Sequence, residues 1–421
     1  MSFYPPYQVT HVHLDQSGNQ PTLAVPGQGH YLIFWWRTVA LGHAVIKPGQ
    51  LLTEADYCVA LHQAIEPALL HYYAAQPLYA NTDWQAWSRM RDPSSLARCL
   101  AAVLTPWLLP VAPRQVPISV VICTRQRAAD LQHCLESLMR LSCQPQEIIV
   151  VDNAPQDSST ERVVAAFPGV TYCVEPKPGL SHARNTGVGK VTTTIVAFTD
   201  DDVQVHPDWA CQVWATFQNP QVFAMTGLVL VSELQTEAQQ IFEASWSFNR
   251  GYHDVYYDQQ YMKQGARPAP PVGDIGAGAN SAFRTAAFDE VGLFDLRLGA
   301  GASGCSEDSE MWFRILLRGH TIHYNPRAVV YHAHRQELAA LKKQLYSYMR
   351  GHVAAVLIQQ RQWPQAGYWR YVYWHIPRYY ARLIKAGLPF FRFRFRTLGV
   401  ELKGLAAGLT FYYRHRNQPS V

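Results

Sequence analysis

Between Val116 and Leu230 the spacing of apolar residues switches repeatedly between the strand and the helix period. "PISVVIC" (117–123) is a continuous run rich in β-branched residues and predicts a buried strand, whereas Leu131, Cys134, Leu135, Leu138 and Met139 recur at helical spacing just after it. "EIIVVD" (147–152), "VTYCVE" (170–175) and "TIVAFT" (194–199) predict three further strands, with "GLSHARNTGVGK" as a helix before the last. Alternating strands and helices imply an α/β fold with a mainly parallel, doubly wound sheet. In such sheets ligands bind beyond the C-terminal strand ends. Downstream, residues 269–284 read as loop and short strand, and 308–318 as a helix burying Met311, Trp312, Ile315 and Leu316. Residues 328–335 read as a strand carrying two histidines, followed by a helix from Glu337 to about Gln360. The first 112 residues contain "HYLIFWWRTVALGHAVI" and a helical stretch from Glu54 to Tyr73, which look globular without legible chemistry. The chain therefore divides into an N-terminal accessory region (1–112), a central α/β domain (113–335) and a C-terminal helical region (336–421).

Composition narrows the class. Hydrophobic residues are 48% and charged residues 16% of the 421, a folded rather than a disordered balance. The N-terminus has no basic stretch leading into an apolar core, so no cleaved secretion signal is expected, and no apolar run approaches the roughly 20 residues that span a bilayer. The eight cysteines form no CxxC pair and fall mostly within apolar patterns, which points to reduced, packed thiols in a cytoplasmic setting rather than a disulfide framework or zinc site.

"AFTDDDVQVHPDW" (197–209) carries the first chemistry, because Asp200, Asp201 and Asp202 stand side by side at the end of a buried strand. Adjacent carboxylates repel, so a positive partner is expected there. A D-x-D pair such as Asp200 and Asp202 supplies hard oxygen ligands for Mn²⁺ or Mg²⁺, while an Asp-rich turn explains the triplet equally well. Neither phosphate-binding signature applies. "GVGKVT" lacks the earlier glycine and the following Ser or Thr of a P-loop, and "GAGANS" opens no long helix.

"VPISVVICTRQRAADLQHCLESL", "EIIVVDNAPQDSS", "GLSHARNTGV" and "AFTDDDV", followed by "GAGANSAFR", "EVGLFD" and "SEDSEMWFRIL", resemble in that order the family 2 glycosyltransferases with the GT-A fold, over about residues 116–335. The resemblance implies transfer of a sugar from a nucleotide-diphosphate donor, with inversion, to a glycan or lipid-linked acceptor in polysaccharide or glycoconjugate assembly. Thr124 and Arg125 would then contact the nucleotide, Asp152 the base with Asn153 beside it, and Arg184 and Asn185 the diphosphate and ribose. Asp200, Asp201 and Asp202 take the D-x-D place, with the two metal-contacting members left open. In the family the Asp of the "ED" pair, here Asp308 beside Glu307, is the general base; at a helix start both could equally be caps. A histidine near this strand end ligates metal in some relatives, making His332 the candidate and His334 its alternate, and Asn280 would lie near donor and acceptor sugars. The QxxRW motif of processive members is absent, implying one sugar added per encounter. The other reading is a nucleotide-sugar-binding or scaffolding protein that has lost catalysis.

Charge changes the picture once more. Between Tyr368 and Arg416 stand ten Lys or Arg and one acid, Glu401, so this segment holds +9 and the remainder 5 − 9 = −4. Interleaved Trp, Tyr and Phe make it a candidate for peripheral docking on an anionic membrane, each basic side chain contributing about 1 kcal/mol near such a surface. Nucleic-acid binding is less favoured, since no recognition motif accompanies the charge, and an ordinary helical domain with a basic face remains the plain reading.

Overall fold

The computed structural model describes residues 5–16, 27–50, 53–75, 93–109, 113–263, 269–387 and 395–419. The basic aromatic stretch 388–394 thus lies outside the described residues. The chain opens with a three-stranded sheet, β1 (Tyr7–His13), β2 (Gly29–Trp36) and β3 (Val39–Ile46), followed by α1 (Glu54–Ala74) and α2 (Pro93–Leu104). Then come β4 (Gln115–Thr124), α3 (Ala128–Met139), β5 (Gln144–Asn153), α4 (Ser159–Ala165), β6 (Val170–Glu175), α5 (Leu180–Val188), β7 (Ile195–Asp200) and β8 (Val203–Val205). They are followed by α6 (Trp209–Thr216), β9 (Val222–Val231), α7 (Glu237–Trp246), β10 (Val255–Tyr257), α8 (Gln259–Lys263), β11 (Asn280–Arg284) and α9 (Ala286–Val291). Last are α10 (Glu307–Leu317), β12 (Thr321–His332), α11 (Leu338–Gln362), α12 (Tyr368–Arg370), α13 (Ile376–Gly387) and α14 (Phe395–His415).

The large sheet runs β10-β12-β9-β11-β7-β4-β5-β6, with β8 paired to β12. β4 to β7, β9 and β12 all run one way, and β8, β10 and β11 run against them. Strand order leaves β4 outward through β5 and β6, then returns to β7 on the other side of β4, which makes the β4/β7 boundary the topological switch point. The continuous apolar runs of these strands follow from burial on both faces. Val121, Ile149, Val151, Val196 and Phe198 face one core, while Val120, Ile122, Ile148, Val150 and Ala197 face the other.

Four strands of the large sheet escaped the sequence pattern in whole or part, among them the short β8 and β10. β9 was not expected, and β12 starts at Thr321, well before the stretch 328–335 that the pattern marks. Its register against β9 shifts between Asn325 and Val329, where Pro326 cannot donate to a ladder, and this break hides the strand's first half. The bulge frees Arg327 to grip Asp254 with both nitrogens, at 2.6 and 2.7 Å, over the rings of Tyr72 and Trp107. Arg327 in turn holds the Asp254 carboxyl well below its ordinary range against the opposing effect of burial. β12 ends at His332, so His334 lies beyond the strand.

β2 is buried along its full length because α1 covers one side and Leu228, Leu230 and Val329 of the large sheet meet the same cluster. At the other end of the chain α14 packs along α11. Gly404 and Gly408 sit on that seam, where an added Cβ would meet the backbone oxygens of Tyr346 and Arg350 at 2.6 and 2.7 Å. Among the described residues no helix is long and apolar enough to cross a membrane. All eight cysteines are free thiols.

Candidate active site

An open cleft of about 1470 Å³ lies over the switch point, walled by the ends of β4 and β7, the start of α10, the loop before β11, and residues of α11 and α13. It is larger than the roughly 300–1,000 Å³ of ordinary ligand pockets, which suits two substrates at once. Thr124, Arg125, Asn153, Arg184, Asp200, Asp201, Asp202, Glu307, Asp308 and His332 all line it. The two carboxylate groups singled out from sequence therefore face one space.

The positive partner that the triplet demanded is Arg127, which sequence reading passed over. Its Nη1 donates to Asp201 at 2.5 Å and its Nη2 to Asp202 at 2.9 Å, from the start of α3. Asp201 also accepts from the Thr124 hydroxyl at 2.8 Å and is buried. Burial pushes its carboxyl up to about 7, against the pull of Arg127. Asp202 behaves oppositely. Burial opposes its charge, but the Arg127 and Arg335 guanidiniums outweigh it and the carboxyl is lowered, while burial takes the neighbouring His332 ring down to about 4. Asp200 is the member most open to the cleft, with 38% of its side chain exposed and Arg184 Nη2 3.7 Å from its Oδ1.

Arg184 is fully enclosed between the rings of Phe198 and Phe294, both 5.5 Å away, and donates to Glu307 at 2.9 Å. A buried guanidinium with a carboxylate on one side is held, not free to swing. Glu307 is pushed up to about 7 by burial, with Arg184 opposing. Asp308 follows on α10, its Oδ1 accepting from the Ser309 N–H at 2.7 Å. The preceding Ser306 has a left-handed backbone (φ 75°, ψ 18°), a conformation uncommon outside glycine, and it turns the chain sharply into the helix.

Gly278 shows how closely these groups meet. An added Cβ there would lie 2.7 Å from Asp308 Oδ2 and 2.8 Å from Arg184 Nη2. Gly278→Ala is expected to lower kcat/KM about 10²-fold, the scale of a 1 Å misplacement, with the melting temperature nearly unchanged. Steady-state kinetics beside a thermal melt will check it, and unaltered kinetics would show that the placement of Asp308 and Arg184 around Gly278 does not set activity.

Three expected site residues lie outside the cleft lining. Asp152 is 1% exposed, its Oδ2 accepting from the Tyr172 hydroxyl at 3.0 Å, while its buried Oδ1 has no hydrogen-bond partner among the described residues. Burial raises its carboxyl despite the Tyr172 bond. Asn185 is pinned to the backbone of Phe294 at 2.9 and 3.0 Å and so positions the loop rather than facing ribose. Asn280, expected beside the sugars, lies instead inside the sheet. Its amide donates to the Leu228 and Ala328 carbonyls at 3.0 and 2.8 Å, and its oxygen accepts from Trp209 at 2.9 Å, filling the gap that the β12 bulge opens. Asn153 lines the cleft and also clamps the turn before α5, through the Lys177 carbonyl at 2.7 Å and the Gly179 N–H at 2.8 Å.

Besides Arg127, the structure adds Trp312. Its fully buried ring lies beneath the cleft, and its indole N–H has no acceptor among the described residues. Sequence periodicity marks Trp312 as buried but says nothing of its unpaired end.

Whether the residues suit a divalent cation depends on their donor atoms. Among the described residues no three His, Cys, Asp or Glu side chains form a ready-made cage. Asp202 Oδ1 and His332 Nε2 do stand 3.4 Å apart at the cleft floor, with Asp200 at its surface. One or two carboxylates completed by substrate phosphates is the usual pattern for Mg²⁺, and Asp202 with Asp200 fits it, while His332 adds a nitrogen donor beside them.

A mixed sheet with a carboxylate- and arginine-lined cleft at its switch point defines an α/β protein of the kind that the GT-A resemblance implies. Residues 119–292 match the model of glycosyl transferase family 2. The pre-mycofactocin glycosyltransferase of Mycobacterium tuberculosis is 27% identical over 232 residues, covering 54% of this chain and 45% of that protein. The succinoglycan biosynthesis protein ExoM of Rhizobium meliloti is 26% identical over 241 residues, covering 54% of this chain and 72% of ExoM. The chain thus spans under half the length of its mycobacterial relative. A crystal structure of GalNAc-T7 with UDP, GalNAc and Mn²⁺ aligns with a TM-score of 0.41 at 18% identity, over 56% of this chain and 47% of that one.

Proposed function

We propose that the protein is an inverting glycosyltransferase that moves a sugar from a nucleotide-diphosphate donor to a hydroxyl of a glycan or lipid-linked acceptor, one sugar per encounter, in glycoconjugate assembly. The observation that carries this reading is the shared cleft. Asp308 Oδ2 and Arg184 Nη2 crowd the same glycine, in the space that Asp200 and Asp202 also face. Asp308 takes the proton of the acceptor hydroxyl as its oxygen forms a bond to the anomeric carbon. The bond from that carbon to the diphosphate breaks on the opposite face, and its electron pair leaves with the phosphate. Thr124, Arg125 and Asn153 hold the nucleotide end, Asp152 lies buried beneath them, and Arg184 stands by the diphosphate. Asp202 and His332, with Asp200 near, would hold Mn²⁺ or Mg²⁺, which when bound neutralises charge on the leaving diphosphate.

The acceptor side supports a membrane location at the cytoplasmic face. Trp374, Arg378, Tyr379 and Arg382 form the cleft's outer wall, and Trp369, Tyr373, Trp374 and Tyr379 are 40–53% exposed. Exposed aromatic rings alternating with arginines suit an anionic lipid surface.

A thermal-shift screen of UDP, GDP, dTDP and CMP sugars with Mn²⁺ tests the donor side without an acceptor. One diphosphate class at 100 times its Kd should add about 2.7 kcal/mol, a rise of several degrees. No response to any diphosphate sugar would sink the reading.

A further inference from the structure

A buried line of side chains runs from the cleft floor to the N-terminal sheet. His332 Nε2 faces Asp202 Oδ1 at 3.4 Å, and His332 Nδ1 lies 3.1 Å from His334 Nδ1. His334 Nε2 is 3.1 Å from Glu243 Oε2. Glu243 Oε1 in turn accepts from the hydroxyls of Tyr31 at 3.0 Å and Ser247 at 3.1 Å. Both imidazoles are buried, with Phe248 edge-on to His332 and Phe242 against His334.

With one proton on each ring, only one of the two carboxylates ending this line can receive a histidine hydrogen. The geometry favours Glu243 at 3.1 Å over Asp202 at 3.4 Å, which Arg127 and Arg335 already serve. A carboxylate can only accept, so His334 Nε2 carries the hydrogen it gives to Glu243. His334 Nδ1 is then an acceptor, and the Nδ1 of His332 facing it must carry the donated hydrogen. What remains on His332 Nε2 is a lone pair aimed at a carboxylate oxygen. Two acceptors 3.4 Å apart repel unless a cation lies beside both.

We propose that Glu243 is a positioning residue for the cation site, acting through His334 to fix the tautomer of His332 so that its Nε2 lone pair is open to a divalent cation shared with Asp202. This rests on the metal-dependent reading above. Outer partners of ligating histidines commonly set ring orientation and basicity in this way, at 10–100-fold in metal affinity. Tyr31 belongs to β2 and stacks on His43 of β3 at 4.9 Å, so the far end of the line is anchored by the N-terminal sheet. That sheet thereby gains a part in the site that its sequence did not suggest.

Glu243→Gln separates this role from packing. The Tyr31 and Ser247 hydroxyls keep the amide oxygen at the Oε1 position, which turns the amide nitrogen toward His334 and reverses each donor along the line. His332 Nε2 then gains a hydrogen and donates it to Asp202. In metal-free protein labelled with ¹⁵N-histidine, long-range ¹H–¹⁵N spectra, with His332 assigned from a His332→Asn sample, should show its proton on Nδ1 in the unsubstituted chain and on Nε2 in Glu243→Gln. Titration with Mn²⁺ alone, followed by the resonance of the free ion, should show affinity about 10–100-fold weaker in the variant with the melting temperature within a few degrees. A proton on Nε2 of His332 in the unsubstituted protein, or full Mn²⁺ affinity in folded Glu243→Gln, overturns the proposal. Should the variant melt early, the tautomer in the unsubstituted protein decides alone. If that protein binds no Mn²⁺, the cation reading falls, and the spectra still decide the relay.

Discussion

Asp308→Asn is expected to lower kcat by about 10²–10⁴-fold, the usual worth of a general base, while nucleotide affinity stays unchanged. The substitution is isosteric, and the amide oxygen can keep the Ser309 N–H bond that Asp308 Oδ1 accepts at 2.7 Å. The start of α10 therefore has no reason to unravel. What is lost is the second oxygen, the one pressed toward Gly278 and Arg184, together with its ability to take a proton. Glu307 next door is a poor substitute, because its Oε1 is committed to Arg184 at 2.9 Å and its side chain is buried. Turnover by product chromatography, set beside calorimetric titration with the nucleotide, separates the two effects. Retained turnover would remove Asp308 from the base role, and lost nucleotide binding would mean that the site itself had been disturbed.

Chelation is expected to cost activity on the order of 10³-fold, since a Lewis acid on a leaving phosphate supplies several kcal/mol and each 1.36 kcal/mol is tenfold. Added Mn²⁺ or Mg²⁺ should restore it. Arg127 already binds both Asp201 and Asp202, and Arg335 lies 3.5 Å from Asp202. Part of the electrostatic demand of the triplet is met by protein cations. Asp202→Asn should weaken Mn²⁺ binding as well as turnover, because it removes an anionic ligand while leaving His332 in place. Full activity in chelator would assign the triplet to Arg127 and to fold, and would leave the diphosphate to the arginines.

The central strands were legible because burial on two faces writes a continuous apolar run, which β4, β5 and β7 display. β6 was found from its β-branched and aromatic residues between turn signals. β12 was found only in part, since the Asn325-Pro326-Arg327 bulge interrupts the period that marks a strand. Asp200 to Asp202, Glu307 and Asp308 stood out as carboxylates at the ends of elements, places where a chain rarely needs them in number. Arg127 gave no such signal, because one arginine among several after β4 becomes a partner only once α3 turns back over β7.

Sequence alone thus determined the order of the central strands β4 to β7 with the helices between them, and at which element ends the chemically costly residues sit, because these depend on local periodicity and on like charges within a few residues. Tertiary structure decided which of those residues meet. It drew Asp308 and Arg184 against Gly278, sent Asn280 into the sheet interior, and tied His332 through His334 and Glu243 to Tyr31, 212 residues before Glu243. Such pairings depend on distances closed by the fold, and no local pattern encodes them.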